Sequence, residues 1–284
     1  MEGKSEPNIV VRMMRLWGIA AWMDLLWVTK DLKQFVFYFG AEALLSVAAM
    51  STTLLLAARF NGIGAWSTDQ VVFMLAYSTA VMGAMETFFN FNVLEISRRI
   101  GRGQLDHVLV QPRPLWVAIL TEGFCPFSGS GSLLIGLGLL AWSTSRIGIA
   151  VTTGWIALLL VSLAASCAVV LAFSYLWGSL AFWSPRGAEE VCSSSNVMLS
   201  ALRPFPLDGL GPVLLGGMLT FAPIGFVGWL PARGLLGMGP SWQSAATPLA
   251  ALLFGIVASF IFRKGLREYG RTGSQRYLSH GHRR

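Results

Sequence analysis

The chain has 284 residues, of which 54% are hydrophobic and only 12% charged, with a formal net charge of +7 and a mean hydropathy of +0.61. A soluble globular chain carries roughly 25% charged residues, so the composition argues against an aqueous enzyme and for a membrane domain. The length suits one such domain and leaves no room for an attached nucleotide-binding domain.

From the amino terminus, residues 1–33 mix charges with apolar residues and offer no clean apolar run before a small-residue cleavage site, so no secretory signal peptide is expected. Within them, Ile9 to Thr29 reads IVVRMMRLWGIAAWMDLLWVT, where Trp17, Trp22 and Trp27 alternate with Arg12, Arg15 and Asp24. The pattern predicts a helix along the headgroup layer with its tryptophans at the interface. The alternative, a seventh span, places three charges in or near lipid at roughly 3 kcal/mol each.

Apolar stretches follow at 34–58, 71–92, 115–141, 150–181, 209–230 and 242–262. Each approaches or exceeds the roughly 20 residues that cross a hydrocarbon core of about 30 Å. The expected fold is an all-α polytopic membrane protein with six transmembrane helices over 34–262. The third stretch holds Gly123, Pro126, Gly129, Gly131, Gly136 and Gly138, which suits a kinked helix with close neighbours. The fifth holds Pro223, Gly225 and Gly228 and is expected to break near its outer end.

Lys and Arg accumulate on the cytoplasmic side of a bilayer. With both termini inside, eighteen of the 21 basic residues fall on inner segments; only Arg59, Arg146 and Arg233 fall outside. The bias accounts for the positive net charge as topology rather than nucleic-acid binding. It predicts a multi-pass protein with both termini cytoplasmic and a basic cytoplasmic tail over 263–284.

Little chemistry is visible. No GxxxxGK[ST] phosphate loop occurs. His107, His280 and His282 lack partners at metal-ligand spacing. Cys125, Cys167 and Cys192 suit neither a disulfide framework nor a zinc site. The run Ser193 to Ser195, in a predicted inner loop, has no nearby His and Asp to activate it. No cofactor, metal or catalytic group is expected on this chain.

The loop over 93–114 carries the sharpest pattern. Gly101 and Gly103 break a helix-compatible start; Leu105, Val108 and Leu109 then recur at helical spacing beside Asp106, and Pro112 and Pro114 end the run. An amphipathic helix of this kind suits a partner protein or the lipid surface equally.

Three strings add a resemblance. ISRRIGRGQLDHVLVQPRP resembles the I-x-x-G-x-L-D-x-x-L-x-x-P loop of type-2 ABC transporter permeases of the small separate-subunit subgroup. LTFAPIGFVGWLPARGLLG, from Leu219 to Gly237, resembles their proline-containing fifth helix and outer loop, and FRKGLREYGRTGS, from Phe262 to Ser274, resembles their carboxy-terminal ending. The fifth-span GFVGW and the Gly270-Arg271 pair depart from the pattern of relatives. The resemblance implies a type-2 ABC exporter fold with an amino-terminal elbow helix, a coupling helix in 93–114 and an outer re-entrant segment at about 229–241. It implies that Arg98, Arg99, Gly101, Gly103, Leu105, Asp106, Leu109 and Pro112 meet a separate cytosolic ATPase that binds ATP and Mg. It also implies a second permease, related or identical, with Pro223, Pro231 and Gly234 as outer-gate candidates.

Glu42, Glu86 and Glu122 fall inside predicted spans, six to eight residues from their inner ends, which at 1.5 Å per residue is roughly 10 Å deep. Intramembrane carboxylates need a partner, a proton or a water-filled cavity. The three either line an inward-facing vestibule for cationic amphipathic substrates or stitch the bundle together. An ion-coupled secondary transporter or channel, and a membrane scaffold, are the alternatives to an exporter permease.

Overall fold

The structure, a computed structural model, describes residues 9–111 and 113–272. Pro112, His280, His282 and the tail beyond Thr272 lie outside the described residues. Among these residues the regular structure is helical, with one isolated bridge between Ile63 and Trp66.

Helix α1 (Ile9–Lys30) is followed, after Asp31 alone, by α2 (Leu32–Phe60). The Asp31 carboxylate accepts from the Gln34 N–H and caps α2. Asn61 ends it in a left-handed conformation. Helix α3 (Thr68–Leu94) starts on a reciprocal cap: the Ser67 N–H donates to the Gln70 side chain and the Gln70 N–H to the Ser67 hydroxyl. Two short helices, α4 (Ile96–Gly101) and α5 (Leu105–Leu109), fill the following loop.

The expected third span is two helices, α6 (Leu115–Thr121) and α7 (Gly131–Ile147), separated by a non-helical stretch. The glycines and Pro126 supply the break, and neighbours satisfy the freed backbone groups as an apolar surround requires. The Cys125 N–H donates to the Thr87 carbonyl at 2.9 Å and the Thr87 hydroxyl to the Gly129 carbonyl at 2.9 Å. The Phe127 and Ser128 N–H groups donate to the Asp24 carboxylate of α1 at 2.8 and 3.1 Å.

Helix α8 (Thr153–Gly178) is capped by Thr152 and runs into a 3-10 turn ending at Phe182. Then come α9 (Pro185–Leu202), α10 (Pro212–Thr220), α11 (Trp229–Leu236) and α12 (Trp242–Thr272). By length and apolarity α2, α3, α8 and α12 suffice to cross a membrane, and the pair from Pro212 to Leu236 does so only as a unit bent by 71°.

The fifth span differs from expectation. Residues 182–208, expected as an inner loop, contain α9. Its first turns lie beside α4, where Arg98 bonds Glu189 at 3.0 Å. The chain beyond its last turn reaches the opposite end of α3, where the Trp66 indole donates to Asp208. Eighteen residues at 1.5 Å span about 27 Å, so α9 climbs from the α4 end to the level of Ser78, and the residues from Arg203 to Asp208 complete the way to the far end of α3. The expected span at 209–230 instead turns back on itself: Asp208 before it and Arg233 near its end bond each other. Hydropathy misses α9 because Arg186, Glu189, Glu190, the three serines and Asn196 dilute its apolar residues.

Helix α3 is the centre. From Val71 to Met85 nearly every side chain is buried, since α2, α7, α8 and α11 surround it. Its contact with α7 is set by glycine: a Cβ on Gly83 would stand 2.1 Å from the Leu133 nitrogen, and one on Gly136 2.4 Å from the Ala80 nitrogen. The backbones touch there, as small residues permit between membrane helices. A second core joins Ile96, Ile100, Leu105 and Val108 to Ala181, Phe182, Ala188 and Tyr269.

Candidate functional site

The loop after α3 is folded onto this second core. Gly103, at φ +70°, takes the left-handed conformation that reverses the chain between α4 and α5. Ile100, Leu105 and Val108 then point inward, Leu105 with 1% of its surface exposed. Asp106 accepts from the Tyr269 hydroxyl at 2.5 Å. Arg98 pairs with Glu95 and Glu189, and Arg99 with Glu122 at 2.6 Å. Gly101 is buried. Of the expected coupling residues, Leu109 faces outward, and with it stand Arg102, Gln104, His107 and Val110, the last 82% exposed. The loop thus has an anchored side and a free tip.

The three intramembrane glutamates separate into two places. Glu42 accepts from the Ser132 N–H at 3.0 Å, in the first turn of α7, where a carboxylate meets the positive end of the helix dipole. Glu86 faces Glu42 and Ser132, and Ser46 and Ser132 share a hydrogen bond of 2.9 Å between hydroxyls. Arg203, which the charge bias assigned to an inner loop, is instead inside the bundle. Its guanidinium donates to the Ser78 carbonyl at 3.2 Å, and Glu86 is the carboxylate that faces it electrostatically. Glu122 stands apart, bonded to Arg99 and 3.6 Å from Arg113 at the loop end.

At the other end, Asp208 collects three donors that sequence reasoning missed. The indoles of Trp66 and Trp229 donate at 2.5 and 2.7 Å, and Arg233 completes the set. One signal was present: Asp208 and Arg233 are the only charges between Arg203 and Arg263. The cluster fixes the bent segment by both of its ends. Pro223 starts the turn at its tip. Pro231 is buried in the first turn of α11, where proline costs no helical hydrogen bond. A Cβ on Gly234 would meet Ser244 at 3.2 Å, so it marks close packing on α12.

Along α9 and α2 runs an open groove of about 630 Å³. Ser193, Asn196 and Ser200 line one side and Thr52 the other, with Glu95 and Phe205 also in its wall. Ser193 and Asn196, which lower the hydropathy of α9, therefore share a face with Ser200.

A protein-family model described as ABC-2 family transporter protein matches residues 43–273. No curated protein and no solved structure matches the chain.

Proposed function

The chain belongs to the ABC-2 transporter family and is a membrane permease subunit of an ABC transporter, and we propose that it forms an export pathway as a dimer, driven by a separate ATPase that grips the loop 93–114. The supporting observation is the form of that loop. Its apolar side and Asp106 are tied to the bundle, while Leu109 and Val110 present exposed apolar surface at the tip. Force applied to such a tip is passed to α4, α9 and α12 rather than lost in a slack loop.

In this proposal ATP and Mg bind the partner subunits and this chain has no catalytic role. Closure of the ATPases moves the two loops, and paired permeases rock so that access alternates. The pathway follows the polar face of α9: exposed polar groups on a crossing helix need water or a partner, and the groove beside α2 provides space for either. Glu42 and Glu86 are the vestibule candidates for cationic substrates. The second permease is a related chain, and the complex sits in a prokaryotic plasma membrane with both termini cytoplasmic. The bent segment from Asp208 to Arg233 gates the outer side, with Pro223, Pro231 and Gly234 shaping it.

Co-purification tests the proposal. A tagged chain is expected to retain an ATPase subunit, and Val110→Glu at the free tip is expected to release it while helix content is unchanged. A stable complex with no ATPase would end the exporter reading.

A further inference from the structure

Helices α6, α8 and α12 enclose a second hollow of about 510 Å³. Trp116, Leu171, Tyr175, Gly255 and Phe262 give it an apolar lining, and Arg263 is the one charged residue in its wall. Among the described residues Arg263 has no ion pair or hydrogen bond. It lies 21 residues after Trp242, about 31 Å along α12, which matches the roughly 30 Å of hydrocarbon between two headgroup layers. Trp116 is half exposed, as suits an indole at the interface.

We propose that this hollow binds one anionic phospholipid of the leaflet on the coupling-loop side, with its phosphate on Arg263 and an acyl chain along Leu171 and Gly255. Apolar walls below an unpaired guanidinium match the two halves of that ligand, and basic pockets between membrane helices take anionic headgroups in this way. A second identical chain is a poorer occupant. A two-fold axis along the membrane normal brings equal depths together, so Arg263 would face its own copy. The site also touches the coupling platform: Tyr175 packs on Phe262, Phe262 on Phe182 and Phe182 on Tyr269, the donor to Asp106. The inference requires only that the chain is embedded in a membrane, and so it stands or falls separately from the ATPase coupling.

Native mass spectrometry of the purified protein, titrated with phosphatidylglycerol or phosphatidylcholine, tests it. One phosphatidylglycerol is expected to be retained in preference to phosphatidylcholine. Arg263→Gln is expected to weaken retention about fivefold, the contribution of one basic residue at a membrane surface. Gly255→Leu fills the hollow and is expected to expel the lipid without disturbing the fold, since a Cβ there meets nothing within 4 Å. Lys264→Gln removes the same charge from outside the hollow and is expected to change little. Equal retention of both lipids, equal losses in Arg263→Gln and Lys264→Gln, or full retention by Gly255→Leu would each overturn the proposal. So would cross-linking of a cysteine at position 255 to a second protein chain.

Discussion

The Tyr269 hydroxyl donates to Asp106 at 2.5 Å across 163 residues of chain, fastening the last turns of α12 to the short helix α5. A hydrogen bond to a carboxylate contributes about 1.5–3 kcal/mol. Tyr269→Phe keeps the ring that packs on Phe182 and removes the hydroxyl that donates to Asp106. Hydrogen exchange in 105–109 is therefore expected to rise by about tenfold or more, that energy expressed as a rate, while α7 keeps its protection. In the intact transporter the same variant is expected to lower ATP-coupled transport without releasing the ATPase. Unchanged exchange at Leu105 and Val108 would show that the bond does not hold the loop.

The contact between α3 and α7 allows a comparison within one helix. Gly136 faces the Ala80 backbone so closely that a Cβ cannot enter, whereas Gly138, half a turn away, faces open space. Gly136→Ala is expected to destabilise the bundle by about 1–3 kcal/mol, the cost of forced overpacking. Gly138→Ala is expected to be neutral or stabilising by about 0.5–1 kcal/mol, because alanine favours the helix where there is space. Thermal unfolding of the two variants in detergent gives the comparison. Similar losses in both would mean that the helices are not in backbone contact.

Elements with a strong local signature are legible in the sequence alone. The apolar runs of α2, α3, α8 and α12 stand out because 23 or more residues of each are helical with few charges. Pro126 and its glycines point to a disturbed third span, although not to Asp24, about a hundred residues away, as the cap of the freed N–H groups. The loop pattern at 93–114 marks a short amphipathic helix, but which of its residues face out depends on Phe182 and Tyr269, far along the chain. The clearest failure is α9. A hydropathy window weighs each residue alone, whereas Ser193, Asn196 and Ser200 are tolerated because they share one groove. The common depth of the three glutamates fails for a related reason: Glu122 sits in the break after α6, where basic side chains from the loop reach it.

The position of Asp208 leads to the most direct test of topology. If 209–230 were the fifth span, Gly209 would lie at its inner end, on the side of Arg102 and Arg186. The structure instead joins Asp208 to Trp66 and Arg233 at the far end of α3, with α9 between. In a background lacking Cys125, Cys167 and Cys192, single cysteines at Arg102, Arg186 and Gly209 report the arrangement, since all three positions are exposed or half exposed. A membrane-impermeant thiol reagent is expected to label position 209 from the side opposite to positions 102 and 186. Asp208→Asn, which weakens the three-donor cluster, is expected to raise labelling of nearby 209 severalfold by loosening the bent segment, without changing the side from which it reacts. Removing one partner of a largely buried charged pair costs about 2 kcal/mol or more, enough for local opening but less than the stability of a domain. Labelling of 209 from the same side as 102 would return α9 to the inner surface and restore 209–230 as the crossing segment.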